Sequence, residues 1–258
     1  SGWLDGSLLP AHGDYAWTYP PPDETGAERT DVPLITAPPA YLNGAIYLPF
    51  NQGGRSGLVR LDWDGSSDQP PKEVWFAKSG NRVVLSPAVT EEVAFFVDGR
   101  PGDRSRQLRA VDVATGAQVW AYPVEDAAGG QFVIEKDRLF VASLANGFAC
   151  LDISNPKVLK EMWKSSPGAL TGVPVVTGDL VVVSAGSPAQ LVCLDAQTGV
   201  VLWGNSPRYN SPQYWARGFP AEKPFRVTSS VTALPTVTTG PLVVSGHLWV
   251  GDTQGVTS

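Results

Sequence analysis

Aspartates in the first third of the chain are spaced in a way that could bind a metal ion. Asp62, Asp64 and Asp68, in DWDGSSD, loosely resemble the oxygen ligands of a calcium-binding loop. The distal glutamate that completes such a loop does not follow. We therefore predict a polar turn and no metal site here, with calcium as the alternative.

Histidine and cysteine, the other side chains suited to catalysis or metal binding, are scarce. His12 and His247 have no partner at metal-ligand spacing, and no hydrolase triad can be assembled. His247 falls in a predicted loop, where it is either an ordinary loop residue or a ligand contact. Cys150 and Cys193 occupy matching places in ACLD and VCLD. We predict two small buried apolar side chains, with a disulfide or a metal role as the alternative. No catalytic residue is assigned.

The phrase D-x-x-T-G-x-x-x-W occurs twice, as DVATGAQVW at 112–120 and as DAQTGVVLW at 195–203. Aspartate at the end of a strand can accept hydrogen bonds from the following turn, and glycine permits the positive φ of a tight hairpin. Tryptophan supplies a large surface that can pack against the next structural unit. Because a catalytic group is normally needed only once, the repetition indicates scaffold. The residues that we predict to be structural are Asp62, Trp75, Asp112, Thr115, Gly116, Trp120, Asp152, Trp163, Asp195, Thr198, Gly199 and Trp203.

The period of the repeat predicts the fold. Its aspartates, at positions 62, 112, 152 and 195, lie 50, 40 and 43 residues apart, which is the length of a four-stranded propeller blade. A composition with 27 glycines, 23 prolines and only 17% charged residues suits short strands joined by turns. We predict an all-β fold, a β-propeller of four-stranded antiparallel blades.

The predicted organisation is a single propeller domain over residues 1–258. Its blades fall near 33–80, 81–126, 127–167 and 168–204, and a fifth combines 230–258 with 10–20. An inserted loop covers 205–229. The orphan strand at Trp17 would close a five-bladed ring by completing that last blade. The alternative is a segment of a larger ring of seven or eight blades.

Charge and hydropathy exclude several classes of partner. The chain has 19 Lys and Arg against 25 Asp and Glu, a net charge of −6, which argues against nucleic acid and anionic membrane surfaces. No stretch approaches the ~20 apolar residues of a transmembrane helix. We also expect no signal peptide in the first residues, which have neither a basic start nor an apolar core.

Residues 194–203, LDAQTGVVLW, resemble the recurring motif of PQQ-like β-propellers, the quinoprotein alcohol dehydrogenase-like superfamily. The resemblance extends over about 20–258 and implies the propeller fold. The superfamily includes PQQ-dependent dehydrogenases and also cofactor-free members, among them a lipoprotein of an outer-membrane assembly complex and sensor domains of bacterial kinases. Fold alone does not choose among these functions.

The dehydrogenases of this superfamily use adjacent cysteines beside the quinone and calcium ligands near the axis. This chain has no adjacent cysteines, and its acidic residues fall mainly in turns. The resemblance therefore does not transfer the activity, and no cofactor is expected. PQQ with calcium is the alternative, and a carbohydrate-active enzyme with paired carboxylates is a third reading.

A long connection after Trp203 is the feature that most distinguishes this chain. The link from Trp203 to Pro235 takes 32 residues, against 12 after Trp75 and 11 after Trp163. In propellers such links emerge on the same face as the loops that join strands two and three, and those loops carry arginines, Arg106 among them. Aromatic residues with arginine are favoured at interface hot spots. The predicted partner-binding surface comprises Arg208, Tyr209, Tyr214, Trp215, Arg217, Phe219, Arg55, Arg100 and Arg104.

The function predicted from the sequence is a non-enzymatic protein-binding or scaffold module in a cell-envelope complex. Its partners would be other proteins, and its location periplasmic or extracellular. The alternative is a PQQ-dependent oxidoreductase of alcohols or sugars, or a fragment of one.

Overall fold

The computed structural model describes residues 37–257 with gaps at 53, 66–68, 84, 100–104, 125–131, 144–146, 169, 171–172, 186–189, 205–241, 245–246 and 253–254. At residue 190 and from residue 203 onward, it describes the backbone alone. Within those ranges, no helix is long and apolar enough to cross a membrane. The chain divides into two compact units, unit 1 (residues 1–100 and 106–123) and unit 2 (residues 101–105 and 124–258).

Unit 1 contains two four-stranded antiparallel sheets, which we name blade 1 and blade 2. In each, the strands lie in chain order, so every neighbour is reached by a hairpin. Blade 1 consists of β1 (Ala40–Leu42), β2 (Ala45–Gln52), β3 (Arg55–Asp62) and β4 (Lys72–Lys78). Blade 2 consists of β5 (Ala88–Val89), β6 (Val93–Asp98), β7 (Gln107–Asp112) and β8 (Gln118–Pro123).

Unit 2 contains blades 3 and 4, which have the same strand order, and a three-stranded sheet. Blade 3 consists of β9 (Phe132–Glu135), β10 (Arg138–Ser143), β11 (Gly147–Asp152) and β12 (Lys160–Ser165). Blade 4 consists of β13 (Val175–Thr177), β14 (Leu180–Ala185), β15 (Gln190–Asp195) and β16 (Val201–Gly204). The last sheet consists of β17 (Leu242–Val244), β18 (His247–Asp252) and β19 (Gly255–Thr257).

Prolines and glycines set the strand boundaries. Strands β1, β5 and β13 each begin at the residue after a proline, where no ladder donor is lost. The hairpin between β1 and β2 has the two-residue turn Asn43-Gly44, with φ of 50° and 77°. Both angles are positive, as a type I′ turn requires, and asparagine and glycine are the residues that best tolerate them.

A β-bulge recurs at the same place in all four complete blades, between the third strand and the fourth. In blade 2, Val111 pairs with Gln118, but Ala110 pairs with Trp120, so the outer strand has one extra residue, Val119. The same shift precedes Trp75, Trp163 and Trp203. Directly paired residues of neighbouring strands lie on the same face of a sheet, and successive residues of one strand lie on opposite faces. The bulge therefore places Trp120 on the face of Ala110 and not on the face of Gln118, where a regular strand would have placed it.

In each unit, a buried apolar cluster lies between the two blades. In unit 1, one buried cluster joins Tyr47, Leu58 and Trp75 of blade 1 to Phe96 and Val111 of blade 2. In unit 2, an equivalent cluster joins blade 3 to blade 4 through Phe140, Phe148, Trp163, Val181 and Leu194. Strand β6 is buried along its whole length, which explains why Val93 to Val97 are all apolar and do not alternate. Its last residue, Asp98, is also buried and forms an ion pair with Arg109 at 2.6 Å.

The prediction of an all-β fold of four-stranded antiparallel blades is confirmed by these sheets. The blade boundaries and the single domain stay predictions. The proposed closing strand at 10–20 and the insertion at 205–229 lie outside the described residues. One local prediction was wrong: His247 is the first residue of β18 and pairs with Val244, so it does not lie in a loop.

Candidate functional site

The repeated phrase builds a turn held by one carboxylate. In blade 2, Asp112 Oδ1 accepts hydrogen bonds from the backbone N–H groups of Ala114 and Thr115, both at 3.0 Å, and from the Thr115 hydroxyl at 3.1 Å. Thr115 Oγ1 in turn accepts from the backbone of Ala117 at 3.2 Å. Gly116, with φ of 71°, donates to the carbonyl of Asp112 at 2.8 Å. The aspartate and threonine side chains of the phrase therefore both form hydrogen bonds within their own turn.

Blade 4 repeats this network almost atom for atom. Asp195 Oδ1 accepts from the backbone of Gln197 and Thr198 at 2.9 and 2.8 Å, and from the Thr198 hydroxyl at 2.9 Å. Gly199 has φ of 70° and donates to the carbonyl of Asp195 at 2.8 Å. The two turns belong to different units, so their agreement follows from the local sequence.

The turn of blade 2 also binds the tryptophan of blade 1. The indole Nε1 of Trp75 donates to the carbonyl of Val113 at 2.7 Å. The guanidinium Nη1 of Arg60 donates to that same carbonyl at 2.8 Å. Gly116 lies against the indole face so closely that a Cβ there would be 2.7 Å from Cδ2 of Trp75. Glycine is thus required twice, for its positive φ and for the absence of a side chain.

The turn of blade 4 binds the tryptophan of blade 3 in the same way. Trp163 Nε1 and Arg138 Nη1 both donate to the carbonyl of Ala196, each at 3.1 Å. A Cβ at Gly199 would be 2.7 Å from Cδ2 of Trp163. We name these two arrangements the blade joints. In both, the residue after the aspartate presents its carbonyl to a tryptophan and an arginine.

The arginines of the blade joints were not anticipated from the sequence. Arg60 belongs to the third strand of its blade, whereas Arg138 belongs to the second, so they occupy different positions in the repeat. Their acceptors are backbone carbonyls, which have no sequence signature. Only the tryptophan and the glycine, which recur at fixed spacing, could have been found from the repeat.

The remaining repeat positions are used differently. Asp62 is exposed and accepts from Arg60 Nε at 2.8 Å. Trp120 is buried, and its ring centroid lies 5.7 Å from that of Phe95. Trp203 pairs through its backbone with Cys193. Among the described residues there is no group of three or more His, Cys, Asp or Glu able to hold a metal ion, and Asp68 lies outside that set.

The turn of blade 3, at Asp152, departs from the phrase. Asp152 and Trp163 are 11 residues apart, against 8 in the two copies of the phrase. Asp152 Oδ1 accepts from the backbone and hydroxyl of Ser154, and Oδ2 accepts from Lys160 Nζ at 2.7 Å. Hydrogen bonds from Lys160 and Ser154 hold the pKa of the Asp152 carboxyl well below its usual range. This longer turn is organised by contacts within itself.

Arg55, at the start of β3, is the described member of the predicted partner-binding surface. Its side chain is 53% exposed, and Nη2 lies 3.3 Å from Glu73 Oε1. Its Cζ lies 4.2 Å from the ring centroid of Phe76 and 5.6 Å from that of Phe50. The aromatic rings and the carboxylate hold the guanidinium in one orientation while leaving it accessible.

The other members of the predicted partner-binding surface lie outside the described residues. These are Arg100, Arg104, Arg208, Tyr209, Tyr214, Trp215, Arg217 and Phe219. Their grouping into one surface stays a prediction. Arg106, expected in an exposed loop with them, is instead fully buried beside Gly99, so it cannot contribute to an exposed surface.

The two cysteines do not fit a quinone site of the dehydrogenase kind. Cys150 and Cys193 pair with Trp163 and Trp203, so they occupy equivalent positions in separate blades. Both are free and buried. Burial raises the pKa of each thiol to about 12, so both stay protonated at neutral pH. They fill space beside the bulges, and no step through PQQ can be built on them.

Comparison with known proteins gives a family match and a number of similar solved structures. A family model described as outer membrane protein assembly factor BamB matches residues 102–205. No curated protein sequence matches the chain. The crystal structure of BamB from Moraxella catarrhalis is similar over 86% of this chain and 62% of that one, with 19% identity and a TM-score of 0.57. The computationally designed protein Ika8 is similar over 84% and 56%, with 10% identity and a TM-score of 0.56.

A europium-containing methanol dehydrogenase has a TM-score of 0.38, with 20% identity over 48% of this chain and 24% of that one. At that TM-score the similarity supports no inference. This chain spans about three fifths of the length of BamB and of Ika8.

Proposed function

We propose that this chain, a PQQ-like β-propeller by its repeats and fold, is a protein-binding module of a cell-envelope complex that works without a cofactor. The match to a family described as outer membrane protein assembly factor supports this proposal most directly, since residues 102–205 include both copies of the repeated phrase. A periplasmic location follows from the same similarity and belongs to the proposal.

The chemistry of the repeat agrees with a scaffold. Asp112, Thr115 and Gly116 are engaged in their own turn and in the blade joint of unit 1. The polar groups that recur along the chain are therefore used to join blades. Recognition of a partner then depends on residues that do not recur.

Arg55 is such a residue. A guanidinium held by two aromatic rings loses little conformational freedom when a partner binds, and arginine is enriched at interface hot spots. Its partial exposure leaves it available for an acidic or carbonyl group of another protein. We propose that it acts together with the aromatic residues of the long connection, Tyr214 and Trp215 among them.

The test is capture of envelope proteins by the immobilised full chain. Detergent-solubilised envelope and cytosolic fractions from the producing cells would be compared, with bound proteins identified by mass spectrometry. We expect selective retention of envelope proteins, and loss of it in Arg55→Glu and in the double variant Tyr214→Ala/Trp215→Ala. Lys78→Glu, an exposed charge reversal in the same blade, is the matched control.

The proposal would be wrong if the chain retained no envelope protein above the cytosolic background. It would also be wrong if addition of PQQ and Ca²⁺ produced reduction of an electron-acceptor dye by alcohols or sugars. That second outcome would favour the oxidoreductase instead.

A further inference from the structure

An apolar patch stands out on the outer edge of blade 3, at the turn that departs from the repeat. Val158, Leu159 and Met162 are 55%, 40% and 45% exposed. Large apolar side chains exposed within five residues of each other are a stronger signal than the same side chains scattered singly. We name these three residues the blade 3 patch.

The patch is held in place by the turn beneath it. Asp152 binds Ser154 and Lys160, as described above, and so ties the start of the turn to its end. Within the turn, Val158 donates its backbone N–H to the carbonyl of Asn155 at 2.9 Å. Because these bonds fix the backbone, little freedom remains to be lost when a partner covers Val158 and Leu159.

Met162 reaches the surface because of the bulge. It is the extra residue between Glu161, which pairs with Leu151, and Trp163, which pairs with Cys150. Its sulfur lies 3.8 Å from the buried Cys150 thiol, so the thioether contacts the core although the residue is 45% exposed. Methionine is adaptable in shape and suits a contact surface.

Charged residues around the patch define the partner. Lys157, Lys160 and Lys164 are exposed. Lys160 neutralises Asp152 at 2.7 Å, and Lys164 lies 2.9 Å from Glu161. Within residues 152–164, three lysines against two carboxylates give a charge of +1, on a chain whose net charge is −6. The patch is thus locally basic on an acidic protein.

We propose that the blade 3 patch binds an apolar segment of a partner protein that is flanked by acidic residues. The apolar centre would cover Val158, Leu159 and Met162, while flanking carboxylates meet the lysines. A protein is favoured over an anionic lipid surface because Asp152 and Glu161 lie among the lysines and because the whole chain is acidic. The inference rests on the proposed protein-binding function and names a surface for it.

The test measures binding of a fluorescent peptide with a leucine–valine–phenylalanine–leucine centre flanked by paired glutamates. We expect the double variant Val158→Glu/Leu159→Glu to weaken binding by about tenfold or more. Val200→Glu is the matched control, because Val200 is 49% exposed in the turn of blade 4. A second peptide, with lysines in place of glutamates, should bind more weakly. Added salt should weaken the binding of the acidic peptide.

Equal binding by the full chain and the double variant would overturn the inference. A second result would also overturn the inference: the unsubstituted chain does not bind the peptide but binds vesicles of phosphatidylcholine with phosphatidylglycerol, and the double variant loses the vesicle binding. Far-UV circular dichroism and the melting temperature of each variant establish that it is folded. If the double variant failed to fold, Lys157→Glu/Lys164→Glu would replace it, and unchanged affinity for the acidic peptide would then overturn the inference.

Capture of envelope proteins separates this inference from the proposed function. If Val158→Glu/Leu159→Glu still captures envelope proteins, the proposed function stands, but the blade 3 patch is not the surface that carries it. Failure of the unsubstituted chain to capture any envelope protein removes the proposed function itself.

Discussion

The turns of blades 3 and 4 connect the same two strands of their sheets but present opposite kinds of surface. In blade 4, the turn after Asp195 directs Ala196 and Gly199 onto Trp163 of the preceding blade. In blade 3, the turn after Asp152 is closed by its own hydrogen bonds and exposes Val158 and Leu159. The first turn joins blades, and the second offers apolar surface to solvent. Where the repeat is kept the chain is scaffold, and where it is interrupted a surface becomes available for function.

The largest effect should come from removing the tryptophan of a blade joint. Trp163→Ala deletes a buried indole and its bond to Ala196, so we expect a loss of about 3–5 kcal/mol in the free energy of unfolding. Urea unfolding followed by far-UV circular dichroism measures it. Trp163→Phe keeps most of the apolar surface and should lose much less. If Trp163→Ala cost no more than the exposed substitution Leu159→Ala, the blade joint would not be a main source of stability.

A smaller effect should follow from adding one methyl group to a turn glycine. Gly199 and Gly178 have positive φ of 70° and 58°, but only Gly199 faces an indole. Gly199→Ala should therefore cost about 1–3 kcal/mol more than Gly178→Ala, which carries the backbone strain alone. The free energies of unfolding of the two variants give this difference directly. Equal losses would mean that the ring of Trp163 moves aside freely.

The hydrogen bonds within each turn could be predicted from the sequence, whereas the contacts between blades could not. The bonds of Asp112 and Thr115 could be predicted because they are local, and the resemblance to PQQ-like repeats is confirmed by the family match. The partnership of Trp75 with Val113 spans 38 positions and ends on a carbonyl, which no residue type signals. Arg106 was wrongly predicted to be exposed, because a stretch rich in arginine, glycine and proline is typical of an exposed loop, whereas Arg106 is buried. The blade 3 patch lies where the sequence departs from the repeated phrase, but its exposure depends on the longer turn and the bulge, which the sequence does not reveal.

Loss of the carboxylate of Asp195 should have a more modest effect. Asp195→Ala leaves the backbone N–H groups of Gln197 and Thr198 without their acceptor, although water can reach them because the turn is exposed. We expect a loss of about 1 kcal/mol, as for a helix cap of similar chemistry. Asp195→Asn keeps an acceptor and should lose less. A loss of 3 kcal/mol or more, on the order of a buried side chain, would show that the turn is needed to position the blade joint as well.

The smallest effect should be a pH dependence confined to the turn of blade 3. The pKa of Asp152 is lowered in the folded protein by Lys160 and Ser154, so the folded state binds this proton less readily than the unfolded state. Its contribution is therefore present above the ordinary pKa of an aspartate and is lost as the pH falls through the lowered value. Because Lys160 is 67% exposed, solvent and salt reduce that contribution. Stability measured from pH 6 down to about pH 3 should decline slightly less in Asp152→Asn than in the unsubstituted chain. The Lys157→Ala control should decline like the unsubstituted chain. If Asp152→Asn also declined identically, the turn would be held by its backbone alone, and the contrast between blades 3 and 4 would rest on Val158 and Leu159 without the carboxylate.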